Sequence, residues 1–137
     1  MFKKIMVPVD LAHQGDLQKA LTCAADLAGH YGSKIVYVGV TSTAPGQLAH
    51  NPAEFGQKLE AFAKSQAEAH GITAEARAYP SHDPTVDTDK TLLNAIHELG
   101  ADLVVMASHV PGVTDYLWAG HGATISAHSD VSVFLVR

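Results

Sequence analysis

Three stretches in the last third of the chain carry the groups that could hold an anion. Leu103-Val104-Val105-Met106-Ala107-Ser108-His109 reads as a buried strand running into a polar turn. Gly120-His121-Gly122-Ala123-Thr124 reads as a glycine-bounded helix start, and residues 131–137 as a final strand. The free N–H groups of a helix's first turn, with the helix dipole behind them, favour a phosphate. Glycine lets backbone approach a ligand closely. The opening run Ile5-Met6-Val7-Pro8-Val9-Asp10 adds a short strand ending on a carboxylate. Together these stretches point to a nucleotide-binding α/β domain.

The elements that must position them follow from apolar periodicity. Residues 5–9 form a β-branched apolar run, a buried strand. Asp16 is placed to cap a helix reaching about His30, with Leu17, Ala20, Leu21, Ala24 and Ala28 as its stripe. Gly29 and Gly32 flank its end. Residues 34–41 read as a second buried strand, and 41–52 as a loop leading to Pro52 at a helix start. The helix over 53–70 turns Phe55, Leu59, Phe62 and Ala63 to one face and stops at Gly71. Residues 72–79 alternate without strong apolar content, the pattern of an edge strand. A loop over 80–89 precedes a helix over 90–99, with Leu92, Leu93, Ile96 and Leu99 inward and Gly100 as its stop. Then come the strand 103–107, a loop, a short helix over about 121–128 and the strand 131–136.

Strands alternating with helices imply one parallel sheet covered on both faces, with right-handed crossovers. Ligands in such sheets bind at the strands' carboxyl ends, at the switch in strand order. Those ends are Asp10, Val40-Thr41 and Ala107-Ser108-His109.

Length and composition bound the function. A chain of 137 residues, 47% apolar, fits one domain spanning 1–137 with a proper core. A net charge of -5 argues against nucleic acid and anionic membrane surfaces as partners. No apolar run approaches the roughly 20 residues of a membrane span. The opening apolar run is too short for a signal peptide, so the expected location is the cytoplasm. The single cysteine, Cys23, excludes an internal disulfide and lies on the apolar side of the first helix, where core packing is the expected role.

The whole chain resembles the universal stress protein (UspA) family. Ile5-Met6-Val7-Pro8-Val9-Asp10 is similar to the family's first strand, and Glu98-Leu99-Gly100-Ala101-Asp102-Leu103-Val104-Val105-Met106 to its third helix and fourth strand. Ser108-His109 matches the Ser-His of the family's Gly-Ser-His-Gly turn, and the chain ends on a valine-rich strand and Arg137. The Val110-Pro111 turn looks closest to the UspF-like branch. The resemblance implies a five-stranded, Rossmann-like parallel sheet of order 3-2-1-4-5, as in adenine nucleotide α-hydrolases. It also implies a homodimer through the last strand, residues 131–136. Val131, Val133 and Leu135 alternate there with Ser132, Phe134 and Val136, leaving both faces apolar. A buried edge within one chain is the alternative.

Many family members bind ATP through Gly-x-x-Gly, about nine residues, then Gly-Ser or Gly-Thr. Here the first two positions fall on Ala107 and Val110. The later pair falls on Ala119-Gly120 or on Gly120-His121, depending on the end from which the spacing is counted. Val110 would crowd a triphosphate, so AMP or ADP fits better than ATP. The resemblance makes Pro8, Val9 and Asp10 part of the site. Asp10 would accept from ribose or adenine, with Val40 and Met106 sandwiching the ring. The phosphates would meet Ala107, Ser108, His109 and Val110 and the N–H groups of Gly120, His121, Gly122 and Ala123. His109 and His121 would add charge-assisted contacts if protonated. The plainer alternative makes Val9, Val40 and Met106 core and Asp10 the cap of the next turn.

Other constellations carry less. His82-Asp83 with Asp87 and Asp89 offers hard-metal ligands, or a solvated loop capping a helix. His121 and His128 share a helix face without identifiable zinc partners. Gly120-His121-Gly122 lacks the third small position of a dinucleotide fingerprint, and Gly32-Ser33-Lys34 has the wrong order for a phosphate-loop lysine. Tyr116 and Trp118 are candidates to anchor a partner or to pack over the sheet end. No nucleophile elbow or catalytic Cys–His pair is present. The expected function is thus a dimeric, non-enzymatic stress-response module that responds to ATP, ADP or AMP and acts on a protein partner, with no metal beyond nucleotide-associated Mg. The alternatives are a dimeric scaffold with a decayed glycine motif and a slow nucleotide hydrolase, the latter disfavoured by the lack of an evident base, metal set or lysine.

Overall fold

In the computed structural model, described over residues 1–43, 51–107 and 121–137, five strands form one parallel sheet of order β3-β2-β1-β4-β5. The strands are β1 (Lys4–Pro8), β2 (Lys34–Ser42), β3 (Thr73–Ser81), β4 (Leu103–Ala107) and β5 (Ser132–Val136). The helices are α1 (Gln18–Tyr31), α2 (Pro52–His70), α3 (Pro84–Leu99) and α4 (His121–His128). The expected strand order, alternation and edge position of β3 all hold.

Right-handed crossovers place α1 and α2 on one face and α3 and α4 on the other. β1, β2 and β4 are buried between these layers and account for much of the core: Ile5, Met6, Val7, Ile35, Val36, Tyr37, Val38 and Val104 to Met106. Paired residues in parallel strands share a face. Tyr37 meets Phe62 of α2 edge-to-face at 5.2 Å. Its register partner Ala76 therefore looks towards α2 as well.

The helix ends explain themselves. Asn51 caps α2 by accepting the Glu54 N–H at 2.8 Å, with Pro52 in the first turn. Gly32, Gly71 and Gly100 end α1, α2 and α3 at φ of 66°, 63° and 66°, where a side chain would be strained. Gly29, expected to flank the end of α1, lies inside it.

Two helix starts differ from expectation. Asp16 caps nothing: it lies in a 3-10 helix, Leu11–Leu17, whose N-cap is Asp10, and α1 begins at Gln18 without a side-chain cap. The expected loop over 80–89 is largely helix, because α3 begins at Pro84. A proline in the first turn starts a helix as readily as it ends one, and Asp87 in that turn complements the dipole. Inward positions shift accordingly. Leu92, Ala95, Ile96 and Leu99 are buried, while Leu93 is half-buried.

At the amino ends of the strands, Asp102 ties the chain's opening to β4. Its carboxylate accepts the Lys3 and Lys4 N–H groups at 2.9 and 3.1 Å. Lys4 Nζ donates to Leu99 O at 2.9 Å, neutralising the carbonyl end of α3. Cys23 is half-buried beside the core rather than in it, and burial, followed by the Asp26 charge, pushes its thiol pKa up.

Candidate functional site

The chain builds β1, β2 and β3 outward in one direction, then returns to place β4 on the other side of β1. β1 and β4 therefore flank the switch in strand order, whose carboxyl-end side is where open parallel sheets bind ligands. Pro8 ends β1 and pairs with Val38, and the Val9 N–H donates to Val38 O at 2.8 Å, so pairing continues one residue further. Asp10 then leaves the sheet. One carboxylate oxygen accepts the Ala12 N–H at 3.1 Å, and the other meets His13 Nδ1 at 2.9 Å. The carboxylate is 13% exposed, so much of its capacity is spent on its own chain.

Pro8, Val9, Val40, Met106 and Ala107 are all buried. Val40 lies in register with Tyr79, and Met106 with Leu135. The first turn of α4 rests on α3 and β5. His121 Nδ1 is hydrogen-bonded to Asp89 Oδ1 on α3, an arrangement that fixes the ring and directs Nε2 away from the carboxylate. Gly122 is buried and so close to β5 that a Cβ there would overlap Leu135 Cδ2. Ala123 is exposed. Four expected residues, Ser108, His109, Val110 and Gly120, lie outside the described residues, as do Tyr116 and Trp118.

The aspartate-rich segment after β3 does not converge on one point. Asp87 accepts from Ser81 Oγ at 3.3 Å, the Asp83 N–H donates to the same oxygen at 3.2 Å, and His82 Nδ1 meets Thr43 Oγ1 at 3.2 Å. Asp89, the sixth residue of α3, turns to His121. Among the described residues no three His, Cys, Asp or Glu side chains gather at metal-binding distance. His128 lies at the opposite end of α4, lining a groove of about 500 Å³ with His97, Asp102 and Asp130.

Sequence spacing brought Asp10, Met106, Ala107 and His121 to the same end of the sheet, and the fold does the same. It missed three neighbours. His13 was legible, three residues from Asp10. Asp89 and Leu135 were not, because each meets α4 through tertiary packing alone. A carboxylate follows the end of β1, and an oriented imidazole stands at the N-terminus of α4, groups suited to sugar hydroxyls and an anion.

The universal stress protein family model matches residues 1–137. Solved structures share the fold. A universal stress protein in complex with cAMP is 18% identical, covering 99% of this chain and 97% of that one, with a TM-score of 0.70. One from Archaeoglobus fulgidus in complex with dAMP is 14% identical, covering 98% of each chain, with a TM-score of 0.67. A family protein from Burkholderia pseudomallei is 20% identical, covering 98% of this chain and 95% of that one, with a TM-score of 0.68.

Proposed function

The chain belongs to the universal stress protein family, and on that footing we propose that it is a dimeric, nucleotide-responsive regulatory module. An adenine nucleotide occupies the crevice between β1 and β4, and two copies pair along β5. The observation that carries the first part is the switch in strand order between β1 and β4, with Asp10 just after β1. Relatives of the same fold, crystallised with cAMP and with dAMP, support an adenine ring and a single phosphate as the minimal ligand.

In this reading Asp10 accepts from the ribose, Val9, Val40 and Met106 back the adenine, and Pro8 fixes the strand end. Ala107 to Val110 and Gly120 to Ala123 meet the phosphate. Mg enters only with a bound nucleotide. The second part rests on β5. Apart from Met1, the exposed large apolar side chains among the described residues are Phe134 and Leu135, adjacent on that edge strand. A second copy would cover them. No helix among the described residues is long and apolar enough to cross a membrane, and the module is assigned to the cytoplasm, where a protein partner would read its nucleotide state.

A scaffold without a nucleotide is the second reading, favoured by the Asp10 carboxylate being engaged by Ala12 and His13. One experiment separates the two. Purified protein is denatured and its released small molecules identified by mass spectrometry, followed by thermal-shift titrations with ATP, ADP, AMP and cAMP. A released or stabilising adenine nucleotide is expected, since any native-state binder raises stability by mass action. No release and no shift would leave the scaffold.

A further inference from the structure

α4 is eight residues long, too short to hold its shape alone, so neighbouring contacts decide where its first turn lies. Ile125 is fully buried beneath the helix. His121 is bonded to Asp89 on α3. Gly122 lies directly under Leu135, with no room between them for a Cβ. Leu135 is the unusual partner. It pairs in register with Met106 and stands on the face that carries α3 and α4, yet it is 42% exposed. One side chain therefore belongs both to the seat of α4 and to the open rim of β5. Its neighbour Phe134 is 44% exposed but pairs with Val105 and faces the α1 side.

We infer that Leu135 couples nucleotide binding to the pairing of two copies. A second copy seated along β5 packs on Leu135, holds it against Gly122 and fixes the first turn of α4 where the phosphate is received. The inference rests on the nucleotide and dimer reading above. Its sign is positive, because a second copy pressing on Leu135 and a phosphate on the helix N-terminus both favour the same placement of the first turn of α4. Linkage makes it reciprocal: each bound nucleotide tightens the dimer by the factor by which dimerisation tightens that site, so two filled sites give its square. Leu135 touches no ligand in this scheme; it is a positioning residue.

The test uses the full chain. Sedimentation over a concentration series gives the dimer constant with and without saturating cAMP or AMP, and calorimetry gives nucleotide affinity. Dimerisation is expected to tighten about tenfold with nucleotide bound, within the usual range of such couplings. Leu135→Ala should still bind nucleotide but bring the factor close to one. Phe134→Ala, on the opposite face, should weaken the dimer yet keep the factor. If Leu135→Ala folds poorly, Leu135→Val should give a factor smaller than the parent protein's. A dimer constant indifferent to bound nucleotide, or a full factor in the Leu135 variants, overturns the coupling and leaves nucleotide binding standing. Failure of the parent protein to bind nucleotide, or to dimerise, overturns the proposed function and the coupling with it.

Discussion

At one edge of the sheet, β3 runs nine residues and carries charge on its surface. Glu75 meets Lys34 of β2 at 2.8 Å, and Arg77 approaches Glu98 of α3 at 3.8 Å. Pro80 removes a backbone donor near its end. At the other edge, β5 runs five residues without a charged side chain and exposes Phe134 and Leu135. Charge and proline are devices that keep a strand edge single, whereas a bare apolar edge invites another strand. The roofs differ too. α2, nineteen residues long, lies close over β3 and β2, where Gly39, Ala74, Ala76 and Ala78 make room for it. α4 is under half that length and leaves β5 open. One edge is finished within the chain, and the other is the edge that the proposed second copy would cover.

The most severe way to break the contrast is to charge the open edge. Phe134→Lys combined with Leu135→Lys should convert the proposed dimer to monomer, a loss of about 2–4 kcal/mol, read by sedimentation. A variant that stays dimeric moves the interface elsewhere. Next in size is the roof over the closed edge. A Cβ on Gly39 would lie 2.8 Å from Phe55 Cε1 and Cζ, so Gly39→Ala should cost about 1–3 kcal/mol in denaturant unfolding. An unchanged midpoint would mean that α2 rides over the sheet more loosely than its contacts indicate.

A smaller effect is expected at Tyr37, which is fully buried with no hydrogen-bond partner for its hydroxyl among the described residues. Burial pushes its pKa up to about 12. Because the folded value is raised, the stability it contributes is full below the ordinary tyrosine value of about 10 and is lost as pH climbs towards 12. Tyr37→Phe should leave neutral stability within about 1 kcal/mol, or raise it, and soften the alkaline decline. An alkaline limb identical to the parent's would assign that decline to other groups. Smallest is the rim of β3. The hydrogen bond from Lys34, opposed by burial and aided by the charges of Lys34, Arg77 and Lys4, holds the Glu75 carboxyl below its usual value. Its contribution is present above the ordinary glutamate pKa and disappears as pH falls through the folded one. With both side chains about 40% exposed, screening limits it to about 0.2–0.5 kcal/mol. Glu75→Gln should reduce the acid sensitivity of unfolding by no more than that.

What the sequence disclosed divides along similar lines. The strand order, the inward stripe of α1 and the glycine stops were legible because period and punctuation are local signals. The carboxyl-end location of Asp10, Met106, Ala107 and His121 followed from strand order. The start of α3 was missed because Pro84 and its aspartates read equally as loop and as helix N-terminus. Asp10 caps the next turn, as the plainer alternative had it, but that turn is a 3-10 helix that the apolar pattern did not reveal, so α1 starts later than expected. The glycine at 122 was read as room for a phosphate; its evident neighbour is Leu135. Contacts such as His121 with Asp89, 32 residues apart, depend on how two helices come to lie side by side, which no local pattern encodes.

The central place of β1 also sets a timetable. β1 is made first, yet its neighbour on one side, β4, begins nearly a hundred residues later. At about 5–20 residues per second of synthesis, β1, β2 and β3 emerge seconds before β4 can dock. Throughout that interval the flank of β1 destined for β4 is an exposed apolar edge on a ribosome-bound chain. The Asp102 carboxylate, which later grips Lys3 and Lys4, closes that window as β4 arrives. Until β4 arrives, the sheet thus ends on β1, an edge that the finished fold does not leave open.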